Sequence, residues 1–516
     1  MAAGILLSRI LGLVRNRVFA HYLGTSDAAD AFNAAFKIPN FLQNLFGEGV
    51  LSASFIPVYA RLLAQEERDE ARRVAGAVLS LLALTTSVLV LAGVWLTPVL
   101  ISVIAPGFEG EKRDITIRLV RILFPGAGLL VMSAWCLGVL NSHRRFFLSY
   151  TAPVLWNLTI IATLIGFGRT TTTGYRLAEI VAWGSVAGSA LQFAVQLPAV
   201  LRLLDGLELG LGRGLETVRT VVRNFVPVFV GRGVVQISAY VDTVLASLLP
   251  TGAVAALSYA QVLYTLPVSL FGMSVSAAEL PAMSSVTGEG GDREAALRDR
   301  LQAGLRQIAF FVVPSAVAFL ALGDVVAGAV FQSGAFTRAM TVYVWGILAG
   351  SAVGLLASTL GRLYSSTYYA LGDTRTPLRF GIIRVVLTLV LGYLCAIPLP
   401  VWLGVDQRWG VAGLTASAGL AGWVEFFLLR RELNRRIGRT GMPVSYLGRL
   451  WGSALSAAIA AWVVKLALYP DHPLLVALFS LGMYGVAYLA VATTLRVPEA
   501  RRLLARFTTI GGRARR

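Results

Sequence analysis

About fourteen apolar runs of 18 or more residues follow one another along this 516-residue chain, each long enough to cross roughly 30 Å of hydrocarbon as a helix. They fall near 2–23, 30–60, 74–104, 117–140, 149–168, 177–201, 221–248, 253–284, 304–332, 339–369, 379–400, 409–429, 447–468 and 473–495. With 56% hydrophobic residues, 14% charged and a mean hydropathy of +0.71, the chain carries more apolar surface than a globular interior can hide. Backbone polar groups in hydrocarbon must be satisfied within their own segment. The fold class expected is therefore an all-α polytopic membrane protein.

A formal charge of +18 suggests nucleic acid until the positions are read. The cations sit in alternate loops: with the N-terminus inside, inner loops and tail hold about 28 Lys and Arg against about 7 outside. Both termini are then expected on the cytoplasmic side of the membrane. The basic stretches 430–439 and 496–516 read first as topology signals and second as surfaces for anionic lipid. Cys136 and Cys395 fall inside expected spans and define no disulfide framework, and His21, His143 and His472 are too scattered for a metal cluster. The first span lacks a basic leader and itself carries arginine, so it reads as retained; the abrupt start at Met1 leaves room for a short preceding segment.

The stretch "LGTSDAADAFNAAFKIPNFLQNLFG" (23–47) is echoed by "LPTGAVAALSYAQVLYTLPVSLFG" (249–272). Pro39 corresponds to Pro267, Phe46 to Phe271 and Pro57 to Pro281, at offsets of 228, 225 and 224. "APGF" (105–108) falls in register with "SGAF" (333–336), and "NSHRRF" (141–146) with "GDTRTP" (372–377). Such an offset covers six spans, an even number, so the second copy enters the bilayer in the same sense as the first. The reading is two six-helix lobes related by a parallel repeat, 1–210 and 211–435, followed by two further helices and a basic tail in 436–516. A cavity near the midplane is expected to hold the transported headgroup.

Arginine at a helix centre costs roughly 2.5–3.5 kcal/mol on translocon scales, so arginines in span 1 need an interior destination. Arg15 lies mid-span, and Arg9 with Asn16, like Ser8 with Arg15, lies within about 20° on a 3.6-residue helix. In span 2, Asn33, Lys37, Asn40, Asn44 and Glu48 form a stripe about 80° wide, expected to face the cavity beside an interruption at Pro39. Span 7 adds Arg232, Gln236 and Asp242, and span 8 adds Gln261. The competing structural reading is interhelical glue, with Asp30 or Asp242 neutralising an arginine and Asn44 bonding a carbonyl. The excess of cations over anions across spans 1, 2 and 7 favours an anionic ligand, phosphate above all.

None of the three lysines, Lys37, Lys112 and Lys465, follows a glycine, which excludes a P-loop. No nucleotide, metal or other cofactor is expected. Transport must then draw on an ion, the substrate gradient or the membrane potential, worth about 2.3 kcal/mol per charge per 100 mV.

"SRILGLVRNRVFAHYLGTSDAADAFNAAFKIPNFLQNLFGEGVLSASFIPVYA" (8–60) closely resembles the opening of the MurJ/MviN family, lipid II flippases of the MOP transporter superfamily. "APGF", "LNSHRRF" (140–146), "VDTVLASLLPTGAVAALSYA" (241–260), "FQSGAFT" (331–337) and "GDTRTP" extend the resemblance in order along the chain. It implies fourteen helices in two lobes with a tail groove in the last pair. The implied activity moves undecaprenyl-diphosphate-linked disaccharide-pentapeptide to the periplasmic leaflet by alternating access. By position, the resemblance assigns Arg9, Arg15 and Asp30 to the central cavity and Lys37 and Glu48 to a span-2 motif. The chain departs from the family where Gln43 and Asn44 replace an arginine pair, Asn16 replaces an acidic residue, and Gln261 and Val262 replace Asp-Arg. Arg232 appears in partial exchange, and the hypothesis is that it takes over part of the diphosphate contact.

The alternatives within carriers are a flippase for another polyprenyl-linked glycan or a multidrug antiporter of the same superfamily. A membrane glycosyltransferase would use acids in the first external loop, which Asp27 and Asp30 nominally supply, but the equivalent helix at 253–265 has none and no large external domain exists. A passive scaffold that keeps the fold without transport is the remaining class.

Overall fold

Helices form on the apolar runs and end where capping chemistry, glycine or charge ends them. The computed structural model describes residues 2–171, 173–212, 214–286, 291–468, 472–503 and 505, with side chains for all of these except 2, 3, 5, 48, 227, 228, 230–239 and 291. Among the described residues there is no strand, only an isolated bridge between Ser333 and Phe336. The chain divides into two compact units: Met1–Ala255 with Ser333–Phe336, and Ala256–Gln332 with Thr337–Arg516.

The first unit holds α1 (Ala2–Leu23), α2 (Asp27–Phe46), α3 (Glu48–Ser54), α4 (Ile56–Ala64), α5 (Arg68–Ile104), α6 (Gly110–Ser142), α7 (Phe146–Phe167), α8 (Gly174–Leu203) and α9 (Glu216–Ser247). The second holds most of α10 (Ala253–Pro267), a π-helical turn (Val268–Met273), α11 (Ser274–Ser284), α12 (Gly291–Phe331), α13 (Arg338–Ala370), α14 (Arg375–Ala396), α15 (Pro398–Trp402), α16 (Gly410–Ile437), α17 (Val444–Ala467) and α18 (Pro473–Thr494). Among the described residues eleven helical segments are long and apolar enough to cross a membrane, fewer than the fourteen or so read from the sequence. Missing from the eleven are α1, with three arginines in 22 residues, α2, with Asp27, Asp30, Lys37 and four side-chain amides, and α9, which carries Glu216, Arg219, Arg223, Arg232 and Asp242 in 32 residues. Those helices are helical throughout; their polarity, not their length, sets them apart.

Ser26 caps α2, its hydroxyl accepting from the Ala29 amide, and Asp27 and Asp30 occupy the first turn, where the helix dipole favours negative charge. The expected interruption at Pro39 is corrected: α2 runs through that residue and breaks at Gly47 (φ −80°, ψ −160°). Pro39 removes a single donor, a defect one helix can absorb. At Gly47 a Cβ would lie 2.3 Å from the Gln43 carbonyl oxygen, so no other residue fits the break as built. In the second copy the irregular backbone falls at the same place, as the π-turn that follows Pro267 and contains Gly272.

Within the first unit α6 is central, packing against α2, α5 and α8, while α7 lies between α1 and α8. Trp135 of α6 is fully buried and donates its indole N–H to the Ala75 carbonyl of α5 at 3.1 Å. Small residues set the close crossings, as expected where hydrocarbon gives helices no hydrophobic drive to associate. A Cβ on Gly126 would meet Ser189 Oγ at 3.3 Å, and one on Gly188 would meet Trp156 Cδ1 at 3.0 Å.

The two matching loop motifs also have matching contacts, all within the first unit. A Cβ on Gly107 of "APGF" would lie 2.1 Å from the Ser247 carbonyl oxygen; one on Gly334 of "SGAF" would lie 2.5 Å from that of His21. Ala335 N–H donates to the same His21 oxygen at 2.8 Å. Gly334 is 227 residues after Gly107, and Ser247 is 226 after His21. The two motifs thus make like contacts, each glycine against the carbonyl of a residue at a matching offset.

In the second unit α13 packs on α12 and α16, with Gly354 and Gly419 so close that a Cβ on Gly354 would lie 2.3 Å from the other's Cα. Pro314 of α12 withholds the N–H that the Phe310 carbonyl would otherwise receive, and the Tyr488 hydroxyl of α18 donates there at 2.6 Å. Tyr484 donates to the Pro314 carbonyl at 2.7 Å. Lys465 and Asp324 pair at 2.8 Å between α17 and α12, and Arg384 and Glu425 at 3.1 Å between α14 and α16.

Candidate functional site

The polar residues of α1 and α2 border three voids inside the first unit. The first, of about 50 Å³, is lined by Arg15, Asn16, Phe19, Phe32, Asn33, Phe36 and Ile160. A second, of about 10 Å³ and so the size of one water, shares Phe36 and adds Pro39, Asn40 and Trp156. The third, of about 580 Å³, shares Trp156 and Leu130 with the second and is walled by Gln43, Asn44, Ser8, Ser133, Asn157 and Gln192 among others. Asn33, Asn40 and Asn44 of the α2 stripe therefore each border a void, one per successive void.

Arg15 is half-buried, with its guanidinium carbon 5.0 Å from the centroid of Trp156. Its Nε and Nη2 both donate to Asn16 Oδ1, at 3.3 and 3.0 Å. Phe36 stacks on Trp156 at 5.8 Å, and the Trp156 indole N–H donates to Ser185 on α8, so the ring is fixed in place. A partly desolvated cation–π contact is worth about 0.5–2 kcal/mol, which offsets part of the cost of placing the arginine in a span. Among the described residues no carboxylate pairs with Arg15, and three of its five N–H donors have no protein acceptor. A guanidinium so placed can form further charge-assisted hydrogen bonds without breaking an ion pair.

The other residues singled out by sequence are placed differently. Lys37 turns to α9, donating to the Thr243 hydroxyl and lying within the field of Asp242, while the Tyr240 hydroxyl donates to the Lys37 carbonyl at 2.7 Å. Asp30 is 1% exposed and bonded on several sides. Lys112 meets it at 2.7 Å, and the amides of Gly252 and Ala255 donate to its two oxygens at 2.7 Å each, so it caps the start of α10. Lys112 also pairs with Asp27 at 2.8 Å. Arg9 is exposed on α1, and Gln261 is half-buried on α10 in the second unit. The side chains of Glu48, Arg232 and Gln236 lie outside the described residues.

Among the residues of the voids that escaped the sequence reading are Trp156, Ser133, Asn157 and Gln192. Gln192 and Gln196 both donate to Ser133 Oγ, at 2.9 and 2.7 Å. Two glutamines one turn apart in an otherwise apolar helix were the available signal, since an amide in hydrocarbon needs a partner. For Trp156 there was none; one more tryptophan in an apolar span reads as lipid-facing or core.

A bundle of apolar helices enclosing polar voids, with a cation held by a ring and an amide, is the architecture of a multi-pass membrane transport protein. The structure resembles that of lipid II flippase MurJ in an inward closed conformation, with a TM-score of 0.78 at 23% identity, covering 98% of this chain and 99% of that one. It also resembles an inward-facing multidrug resistance MATE family transporter of the MOP superfamily, with a TM-score of 0.64 at 17% identity over 83% of this chain and 95% of that one. These likenesses establish the fold. The sequence model of the lipid II flippase MurJ family matches residues 19–495, and the chain belongs to that family. Its relatives include the probable lipid II flippase MurJ of Rhizobium tropici, 32% identical over 91% of this chain and 86% of the relative. The lipid II flippase MurJ of Burkholderia cenocepacia is 31% identical over 84% of this chain and 82% of its own length.

Proposed function

We propose that this protein is a lipid II flippase of a bacterial inner membrane, carrying undecaprenyl-diphosphate-linked disaccharide-pentapeptide from the cytoplasmic to the periplasmic leaflet by alternating access. Family membership supports the reaction. The observation that carries the mechanism is Arg15, a guanidinium with open donors and no carboxylate, fixed over Trp156 at the edge of a polar void. Diphosphate is the part of the substrate that such a group fits, because planar N–H pairs match phosphate oxygens. Arg9 and Asn16 extend the cationic and polar face of α1, while Lys37, turned to Thr243 of α9, is left out of the ligand contacts. Asp30 contributes by holding the start of α10 and takes no ligand. Arg232 is proposed to share the diphosphate; Arg232→Ala protein at normal levels that flips lipid II undiminished removes that role. With no nucleotide-binding motif in the chain, the membrane potential is the proposed drive, and both termini are proposed to be cytoplasmic.

The test is genetic and chemical together. Cells stripped of their own lipid II flippase should grow on this protein alone, and its depletion should stop wall synthesis while lipid II accumulates in the inner leaflet. Normal growth without lipid II accumulation on depletion, and no rescue, would retire the reading in favour of another polyprenyl-linked glycan.

A further inference from the structure

The 580 Å³ cavity of the first unit is of the size that holds a small organic ligand, roughly 300–1,000 Å³, but its wall is unlike the usual apolar one. Every described side chain around it is uncharged, and the polar ones are amides and hydroxyls: Gln43, Asn44, Asn157, Gln192, Ser8 and Ser133 are the principal ones. Asn157 is 4% exposed; its Nδ2 donates to the Pro153 carbonyl, and among the described residues its Oδ1 has no partner. A buried acceptor left open costs free energy unless something donates to it.

The chemistry of that wall selects its ligand. An amide presents a donor and an acceptor side by side, and so does a hydroxyl. An apolar ligand would leave these groups unsatisfied, and an ionic one would find no counter-charge among the described residues. A ligand dense in hydroxyl and acetamido groups satisfies both faces of each amide. Trp156 walls this cavity and also carries Arg15 at 5.0 Å, so the cavity and the guanidinium share one ring. In a diphosphate-linked glycan the group bonded directly to phosphate is a sugar.

We infer that this cavity is a saccharide subsite, in which Gln43, Asn44 and the open carbonyl of Asn157 bind the sugars of a diphosphate-linked lipid whose phosphates meet Arg15. The inference rests on the flippase reading for the position of the diphosphate. It assigns to Gln43 and Asn44, where the chain departs from its family's arginine pair, recognition of neutral sugar in place of phosphate.

The experiment measures binding to the purified full-length protein in lipid nanodiscs with three probes: undecaprenyl diphosphate, the same lipid bearing the disaccharide without peptide, and complete lipid II. Wild type should hold the disaccharide-bearing lipid about tenfold more tightly than undecaprenyl diphosphate, the worth of one or two hydrogen bonds. The Gln43→Ala/Asn44→Ala double variant should lose that advantage and keep its affinity for undecaprenyl diphosphate within about twofold. Gln43 is half-buried and Asn44 exposed, so the fold should survive, and an unchanged melting temperature verifies it. An equal loss for all probes, no loss for any, or an advantage that appears only when the peptide is present each overturns the subsite. If wild type binds neither undecaprenyl diphosphate nor lipid II, the flippase reading itself fails; if it binds both and the double variant discriminates as before, only the subsite fails.

Discussion

Arg15 of the first unit and the ion pairs of the second treat intramembrane charge in opposite ways, although the first unit also holds a closed pair, Lys112 with Asp30 at 2.7 Å. In the second, Lys465 meets Asp324 at 2.8 Å and Arg384 meets Glu425 at 3.1 Å, each cation matched by an anion on a neighbouring helix. In the first, Arg15 meets an aromatic face and one neutral amide, beside voids bordered by asparagines and glutamines. Hydrocarbon makes both arrangements costly, so each must repay its cost differently. A closed ion pair holds the helix contact it spans; a cation without a carboxylate keeps donors that a ligand can use.

The sharpest way to break the comparison is to remove one charge from each side. Arg15→Ala should reduce lipid II flipping by two orders of magnitude or more at normal protein level and unchanged melting temperature, while Arg15→Lys recovers only part, because an ammonium lacks the planar pair of donors. Asp324→Ala should do the reverse: it strands Lys465 and destabilises by about 3–5 kcal/mol, read as a lowered melting temperature and reduced protein level, with flipping per folded molecule retained. Pairing Asp324→Leu with Lys465→Met should restore most of that stability.

A smaller effect sharpens the role of the α2 break. Gly47→Ala would press a Cβ against the Gln43 carbonyl at 2.3 Å, so the helix must re-form around it. A loss of roughly 1–3 kcal/mol in stability, with weakened binding in the cavity that Gly47 and Gln43 both border, is the expected outcome. The equivalent change at Gly272, inside a π-turn, should leave binding in that cavity unaltered.

The smallest effect is one of pH. His143, in the loop after α6, lies 3.0 Å from the Tyr59 hydroxyl, and burial, then Arg145 and Arg68, hold its imidazole pKa below the usual 6.5. A lowered pKa means the unfolded chain binds the proton more readily, so this contribution is intact above about pH 6.5 and declines as pH falls through the lowered folded value. Melting temperature should fall slightly over that interval, and His143→Gln should flatten the slope.

Much of this was legible in the sequence because it depends on local pattern. The apolar runs marked eleven of the segments long and apolar enough to cross a membrane among the described residues, and the α2 stripe held the row of asparagines that border the voids. What was hidden depends on partners distant in sequence. Asp30 reads as a free acid until Lys112, 82 residues on, is seen against it. Lys37 reads as a cavity cation until the Thr243 hydroxyl, 206 residues away, is seen to accept its hydrogen bond. Pro39 drew the break toward itself, since proline signals interruption by composition, whereas Gly47 does so only through the position of one carbonyl. Trp156 became visible as the ring between Arg15 and the large cavity only with α1 packed on α7.

Transfer of labelled lipid II across vesicles, driven by purified protein carrying Arg15→Ala, tests the central claim most directly. The account expects transfer near the protein-free rate from a variant that melts like wild type. Transfer at the wild-type rate would show that the open guanidinium of α1 is a structural feature, and that the diphosphate is held elsewhere.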